Sequence, residues 1–164
     1  MMQRVIAQLQ VVLQQLIAEH EKLLALLCNQ QAAMKKLDLP AIDQLTALAD
    51  ATRMRIAGLD GKRKVLVNQL AGMLKLPANA TLRRLAEAIP QHKQALLALR
   101  EQLRAKVSEV ATRSTVAGRL AGALLGHLNT VVRLLVGAAE QAGIYTKQGT
   151  PRVSTRIGVI EAIG

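Results

Sequence analysis

The fold is decided by the first long stretch of the chain, which reads QRVIAQLQVVLQQLIAEHEKLLALLCNQQAAMKK from Gln3 to Lys36. Its large apolar residues follow one another at steps of four, three, four, seven and four: Val5, Leu9, Val12, Leu16, Leu23 and Leu27. This near-heptad period places them on one side of an α-helix. The stripe is widened by Val11, Leu13, Ile17, Leu24 and Leu26. The stretch therefore predicts a long helix that buries more than a narrow two-stranded seam.

A second long helix is predicted from about Pro40 to Leu76, where Asp38 offers a capping acceptor and Pro40 favours a helix start. Its stripe advances at alternating steps of three and four: Ile42, Leu45, Ala49, Thr52, Ile56, Leu59, Arg63, Leu66, Leu70 and Met73. This regularity predicts an antiparallel partner for the first helix, joined to it by a short turn. Arg63 allows two interpretations. It either extends its guanidinium out of a partly apolar seam, or it fixes the register or contacts a partner.

A short amphipathic helix is predicted over 82–89, with a cap at Asn79 or Thr81, and a third long helix runs from beyond Pro90 to near Glu140. The third stripe comprises Leu96, Leu99, Leu103, Val107, Val110, Ser114, Ala117, Ala121, Leu124, Leu128, Val131 and Leu135. The sequence thus predicts an all-α fold, an antiparallel bundle of three long helices with one short connecting helix. The period ends at 141, so we predict a bundle domain over 1–140 and an irregular tail over 141–164 that either docks on the bundle or is ordered by a partner.

Between 111 and 126 the third helix is rich in residues with small side chains: Ala111, Ser114, Ala117, Gly118, Ala121, Gly122, Ala123 and Gly126. A glycine inside a helix costs about 1 kcal/mol relative to alanine, so this stretch is intrinsically weak as a helix. One interpretation is tight packing against the first or second helix. The other is a groove that receives an amphipathic helix of a partner. Its lining would be Leu120, Leu124, Leu125, Leu128, Val131 and Leu135.

The composition excludes an all-β fold and leaves the choice of partner open. Hydrophobic residues make up 51% of the chain, yet Tyr145 is its single aromatic residue. The net charge of +11 suits nucleic acid, an anionic membrane or an acidic protein surface. Cys28, the single cysteine, cannot form an internal disulfide, which is typical of a reducing compartment. Because the first residues also make a poor signal peptide, we predict a cytoplasmic location.

The sequence does not favour a transmembrane segment. The uncharged stretch between Arg119 and Arg133 is thirteen residues long and contains His127, whereas a span needs roughly 20 apolar residues.

The sequence offers no catalytic constellation. His20, His92 and His127 lie far apart without a carboxylate at metal-binding spacing, so we predict them to be surface or interface residues. We therefore predict no enzymatic activity, catalytic residue, metal, cofactor or small-molecule substrate. Nucleic acid is not favoured either, because the basic residues are dispersed and the chain has only one aromatic residue on which a base could stack.

Three groups of residues form a more specific pattern. The first is LDGKRKVL at 59–66, the second is LKLP at 74–77 with Thr81-Leu82, and the third runs from GRL at 118–120 through HLN at 127–129 to LLVG at 134–137, followed by YTKQG at 145–149. This pattern resembles the FlgN family of flagellar export chaperones, cytoplasmic proteins that escort hook–filament junction proteins to the flagellar type III secretion apparatus. The chain departs from the family where Ser114 and Ala117 replace frequent asparagines, and where Thr146 and Lys147 replace an acidic residue after the tyrosine.

The resemblance implies a chaperone that binds the C-terminal amphipathic helices of hook-associated proteins, prevents premature assembly and delivers them to the export gate. The expected client-binding residues are Ser114, Ala117, Leu120, Ala121, Leu124, Leu125, Leu128, Val131 and Leu135. It also implies that Tyr145 docks on the cytoplasmic domain of the export gate; the alternative is that Tyr145 only pins the tail to the bundle. The alternative function is a basic helical nucleic-acid-associated protein, which retention on heparin or DNA that weakens steeply with salt would favour.

Overall fold

The computed structural model describes residues 1–77 and 79–143, and four α-helices account for most of these residues. Helix α1 spans Met2–Lys36, α2 spans Leu39–Met73, α3 spans Leu82–Ala88 and α4 spans Lys93–Gly143, with a 3-10 turn at Pro90–His92. The described residues contain no β-strand. The predicted all-α fold is therefore confirmed, and the predicted helix ends differ from the observed ones by at most three residues.

The chain divides into two units, Met1–Ala121 and Gly122–Gly164. The first unit contains α1, α2, α3 and the first part of α4. The described part of the second unit is the remainder of α4, and the predicted tail lies outside the described residues from 144 onwards. The domain boundary at 140/141 stays a prediction.

Two residues, Leu37 and Asp38, connect the end of α1 to the start of α2. Leu37 adopts a left-handed conformation (φ 55°), and the N–H groups of Leu37 and Asp38 donate to the carbonyl oxygens of Met34 and Ala33 at 3.1 and 3.0 Å. These bonds satisfy carbonyl groups that the end of a helix leaves free. Asp38 then caps α2, because its Oδ1 accepts a hydrogen bond from the Ala41 N–H at 3.2 Å.

The contacts along the first unit follow a regular order. Gln30 Nε2 donates to Thr46 Oγ1 at 2.7 Å, and Arg55 Nε donates to Glu19 Oε2 at 3.0 Å. The end of α1 thus meets the start of α2, as in neighbours that run in opposite directions along a hairpin. The first part of α4 runs in the same direction as α1, because His92 contacts Gln3, Lys106 Nζ lies 3.9 Å from Glu21 Oε1, and Gln31 Nε2 donates to the Arg113 carbonyl oxygen at 3.1 Å.

The core of the first unit consists of two apolar clusters. The larger contains Val5, Ile6, Leu9, Leu13, Val67, Leu70, Ala71, Ala80, Leu85, Ala86, Ile89 and Leu96. The smaller contains Leu23, Leu27, Ala49 and Ala117. The short helix α3 contributes Leu85 to the larger cluster and is capped by Thr81, whose Oγ1 accepts from the Arg84 N–H at 3.3 Å. Of the two caps predicted for α3, the structure uses Thr81.

Every residue of the predicted α1 stripe is buried, but of the five residues that widen it only Leu13 is buried, and Ile17, Leu24 and Leu26 are half-buried. Leu13 is completely buried, whereas Val11 is 50% exposed. The prediction that Val11 helps to fill the core is therefore wrong. Its side chain lies at the surface between α1 and α2, where it lines an open groove.

The two polar residues of the α2 stripe are both satisfied by hydrogen bonds. Thr52 is fully buried, donates from Oγ1 to the Leu48 carbonyl oxygen at 2.9 Å and accepts from Arg55 Nη2 at 2.9 Å. Arg63 extends to the partly exposed Asp60, with 2.7 Å between Arg63 Nε and Asp60 Oδ1. This geometry supports the first interpretation of Arg63, in which its charge leaves the seam.

Asp60 also pairs with Lys64, whose Nζ lies 3.0 Å from its Oδ2. Partial burial by itself would raise the pKa of Asp60, but the hydrogen bonds from Arg63 and Lys64 and their positive charges outweigh that effect and lower the pKa. The folded protein therefore binds a proton at Asp60 less tightly than the unfolded chain does, so protonation favours unfolding.

We expect Asp60 to stabilise the fold above about pH 4 and to lose that contribution as the pH falls through its lowered folded-state pKa. Asp60→Asn should therefore be less stable than wild type at pH 7, and the difference should narrow towards pH 2. Urea unfolding followed by circular dichroism across this range measures it. Asp43→Asn, at an exposed carboxylate of the same helix, is the matched control. A difference between Asp60→Asn and wild type that is constant with pH would contradict the assignment.

Candidate functional site

The described residues contain no group of three or more His, Cys, Asp and Glu side chains that could hold a metal ion. Cys28 is a free, exposed thiol. His20, predicted as a surface or interface residue, is buried instead, and its Nδ1 lies 2.7 Å from the Leu16 carbonyl oxygen. Because a carbonyl oxygen only accepts, Nδ1 carries the proton in this contact. His20 is thus a satisfied core residue.

The most distinctive surface is an exposed apolar face on the second half of α4. Leu125 is 64% exposed and Leu135 is 65% exposed. Other exposed members of the segment are Leu128, Val131, Val132, Leu134 and Val136. Large contiguous apolar patches are rare on monomeric soluble proteins and mark interaction sites.

The exposed face continues a stripe that contributes Leu96 and Ala117 to the core of the first unit and is exposed there at Val107. That stripe is buried at Leu96 and Ala117 and exposed at Leu128, Val131 and Leu135, without a break in its period. α4 contains 51 residues, whereas α1 and α2 contain 35 each. At about 1.5 Å per residue, a stripe along all of α4 is longer than either neighbour can cover.

The predicted client-binding residues differ in accessibility. Leu125, Leu128, Val131 and Leu135 are exposed, and Ser114, Leu120, Ala121 and Leu124 are half-buried. Ala117 is only 6% exposed and packs with Leu23, Leu27 and Ala49, so it contributes to the core of the first unit. The sequence reasoning did not name Val132 and Val136, which extend the face at steps of three and four from Leu125 through Leu128. Tyr145 lies outside the described residues.

The three glycines at 118, 122 and 126 do not serve close helix packing. A Cβ added at Gly118, Gly122 or Gly126 would meet no atom of the described residues within 4 Å. Two interpretations of the stretch 111–126 were open, tight packing against α1 or α2 and a groove for a partner helix. Tight packing therefore holds at Ala117 and is wrong at these three glycines. At about 3.6 residues per turn, Gly122 and Gly126 lie on the side of α4 opposite Leu124, Leu128 and Leu135. They weaken the helix behind its apolar face.

Replacing both Gly122 and Gly126 by alanine should stabilise this part of α4 by about 1 kcal/mol per site, because helix propensity rises and the added methyl groups meet open space. Amide hydrogen exchange measures the effect. In the wild type, amides of 118–135 should be less protected than those of α1 and α2. The double variant should raise their protection, and Ala123→Gly should lower it. Uniform high protection in the free wild type would contradict this description of the segment.

Among the described residues, Pro90–Ala138 is the one helix long and apolar enough to cross a membrane, and none of its most apolar stretch is buried. This observation rests only on the length and the composition of the helix. An exposed apolar helix that binds a protein partner passes the same test, so the observation is weak evidence for a membrane.

Comparison with known proteins gives one match. The family model described as FlgN protein matches residues 1–152, which is most of the chain. No curated protein and no solved structure matches the chain significantly. The family is one of flagellar chaperones rather than enzymes, in agreement with an all-helical molecule that displays an apolar helix face. From the extent of this match, the chain belongs to the FlgN family.

Proposed function

We propose that the protein is a flagellar type III export chaperone that binds the C-terminal amphipathic helices of hook-associated proteins in the cytoplasm, prevents their premature assembly and delivers them to the export gate. The observation that carries the proposal is the exposed apolar face of α4, centred on Leu125, Leu128 and Leu135. Membership of the FlgN family supports the flagellar assignment.

This function requires binding without a chemical step. A client helix that lies along α4 removes apolar surface from water at roughly 25 cal/mol per Å². It also covers the client surface that would otherwise mediate assembly. The apolar residues at 124, 128, 131 and 135 repeat at steps of four, three and four, which matches the anchor spacing of a helix that packs on a helix. The weak helical propensity around Gly122 and Gly126 lets this segment adjust when the client binds.

Titration calorimetry of the full-length protein with the C-terminal helix of a hook–filament junction protein tests client binding. We expect saturable binding with a negative heat-capacity change, because apolar surface is buried. A peptide of the same composition with a scrambled order is the control. Equal affinity for both peptides, or no binding of either, would contradict the proposal.

We further propose that Tyr145 acts in a later step, docking on the cytoplasmic domain of the export gate. Tyr145 lies beyond the end of the apolar stripe and is the single aromatic residue of the chain. An aromatic ring buries a large area at low entropic cost, and its hydroxyl group adds direction.

Tyr145→Ala should keep wild-type thermal stability and client affinity, yet lose binding to the gate domain and export of junction proteins. Calorimetry with client and with purified gate domain measures the two affinities, and secretion assays measure export. Tyr145→Phe separates the contribution of the ring from that of the hydroxyl group. Loss of client affinity, or normal export, would make the two-step assignment wrong.

A further inference from the structure

Helices α1 and α2 leave an open groove on the surface of the first unit. We call it the α1–α2 groove, and its volume is about 800 Å³. Its lining comprises Arg4, Ala7, Gln8, Val11, Val12, Gly61, Lys62, Val65 and Leu66. The proposed client site uses none of these residues.

The groove is apolar and lacks side chains that would fill it. Val65 on α2 is 66% exposed and faces the same groove as the half-exposed Val11 on α1. Ala7 and Gly61 add little volume between them. A Cβ built at Gly61 would meet no atom of the described residues within 4 Å, so the groove has room for side chains from another molecule.

The groove continues along the same two helices into a second cavity of about 470 Å³, and Lys62 borders both. The second cavity is lined by Gln15, Ala18, Glu19, Arg55, Gly58, Leu59 and Lys62. From Arg4 to Glu19 the combined depression follows α1 for about 22 Å, at 1.5 Å per residue. This is the length of about four turns of an α-helix.

Some charged side chains along the groove have ion-pair partners and others have none among the described residues. Glu19 is paired with Arg55, and the nearby Asp60 is paired with both Arg63 and Lys64. Arg4 and Lys62 line the groove, and neither forms an ion pair with any of the described residues. The groove therefore combines an apolar floor with free positive charge, in a chain whose net charge is +11. Its charge complement is an acidic ligand.

We propose that the α1–α2 groove binds an amphipathic helix of a partner protein, whose apolar stripe fills the groove and whose flanking Asp and Glu residues pair with Arg4 and Lys62. The concave shape favours a helix over a flat lipid surface, because Val12 is buried and Leu66 is half-buried beside the exposed Val11 and Val65, so a convex ligand is needed to contact all four. The net charge of +11 on each copy disfavours a second copy of the chain as the occupant. The residues of this site are distinct from those of the α4 face.

The probe is a fluorescein-labelled peptide of about 16 residues, long enough for four helical turns, with a leucine stripe flanked by glutamates. Fluorescence anisotropy with the full-length protein should give saturable binding. A peptide with lysine in place of each glutamate should bind at least about tenfold more weakly, a difference of about 1.4 kcal/mol. Equal affinity for the two peptides would overturn the role of Arg4 and Lys62.

Gly61→Leu should fill the groove and lower the affinity for the acidic peptide at least about tenfold. The core should be undisturbed, because the leucine side chain enters open space. Gly72→Leu makes the same change at an exposed α2 glycine outside the groove and should leave the affinity unchanged. The Arg4→Glu, Lys62→Glu double variant should also weaken binding. Its charge-matched control is Arg84→Glu, Arg104→Glu, which changes exposed cations elsewhere.

Three results would overturn the proposal. In the first, Leu128→Asp abolishes peptide binding while Gly61→Leu does not, which would place the peptide on the α4 face. In the second, the double variant releases the protein from phosphatidylglycerol vesicles while the peptide never binds, which would indicate a lipid site. In the third, Gly61→Leu dissociates a dimer in sedimentation velocity, which would indicate a second copy. Titration of Gly61→Leu with the client peptide tests the α4 face independently. A failure of the groove proposal is therefore distinguishable from a failure of the proposed function.

Discussion

Placing glutamate at both Leu124 and Leu128 should weaken binding of a hook-associated protein's C-terminal helix by about a thousandfold. Each substitution leaves an unpaired charge in a contact from which water is excluded, at a cost on the order of 2 kcal/mol or more. Two such costs reach about 4 kcal/mol, and each 1.4 kcal/mol is a factor of ten in affinity. In the free protein the charge at 128 stays in water, since Leu128 is 47% exposed. Leu124 is half-buried in the free protein, so the charge at 124 is only partly removed from water there and the unbound variant should still fold.

Titration calorimetry with the client peptide measures this effect, and circular dichroism checks that the variant is helical. The matched control is Ala123→Glu, Thr130→Glu, which adds the same two charges on the opposite side of α4. This control should bind the client with wild-type affinity. Unchanged affinity in the folded Leu124, Leu128 variant would remove this face from the binding site.

Truncating Leu13 to alanine should lower the free energy of unfolding by about 2–5 kcal/mol, which for a domain of this size is a large part of its total stability. Leu13 is fully buried in the larger core cluster, so the truncation removes apolar contacts and leaves a cavity. The same change at Leu125, which is 64% exposed, should alter stability by no more than about 0.5 kcal/mol.

Urea unfolding at pH 7 compares these two variants directly, since both lose the same atoms from a helix. A loss at Leu125→Ala as large as that at Leu13→Ala would show that the second half of α4 is covered in solution. That result would also contradict the free apolar face on which the proposed function depends. A small loss at Leu13→Ala would instead contradict the assignment of the core.

The sequence predicted the candidate face on α4 only as part of a continuous stripe. Its period is the same at Leu96, where the stripe is fully buried, and at Leu128, where it is exposed. Periodicity reports which side of a helix is apolar and carries no information on whether another element covers that side. The comparison of helix lengths, 51 residues against 35, supplies the missing information.

The α1–α2 groove could not be predicted in the same way. Val11 and Leu13 lie on either edge of the same α1 stripe, yet Leu13 is buried and Val11 is half exposed. Which edge is covered depends on where the neighbouring helices cross α1, and this is set by contacts between residues far apart in the chain. Gly61 provides a second example. In the sequence, a glycine within a helix indicates only a locally less stable helix, and the open space beside it is known only from the structure.

The sequence by itself determined the all-α class, the helix ends to within three residues and which side of α1 is apolar, because backbone periodicity, capping by Asp38 and the position of Pro40 act over a few residues. Only the tertiary structure decided that His20 is buried, that Val11 and Val65 line an open groove and that the apolar face of α4 is exposed beyond Ala121. The physical reason is that burial requires a second surface. Whether that surface is present depends on the lengths and crossings of all the helices together.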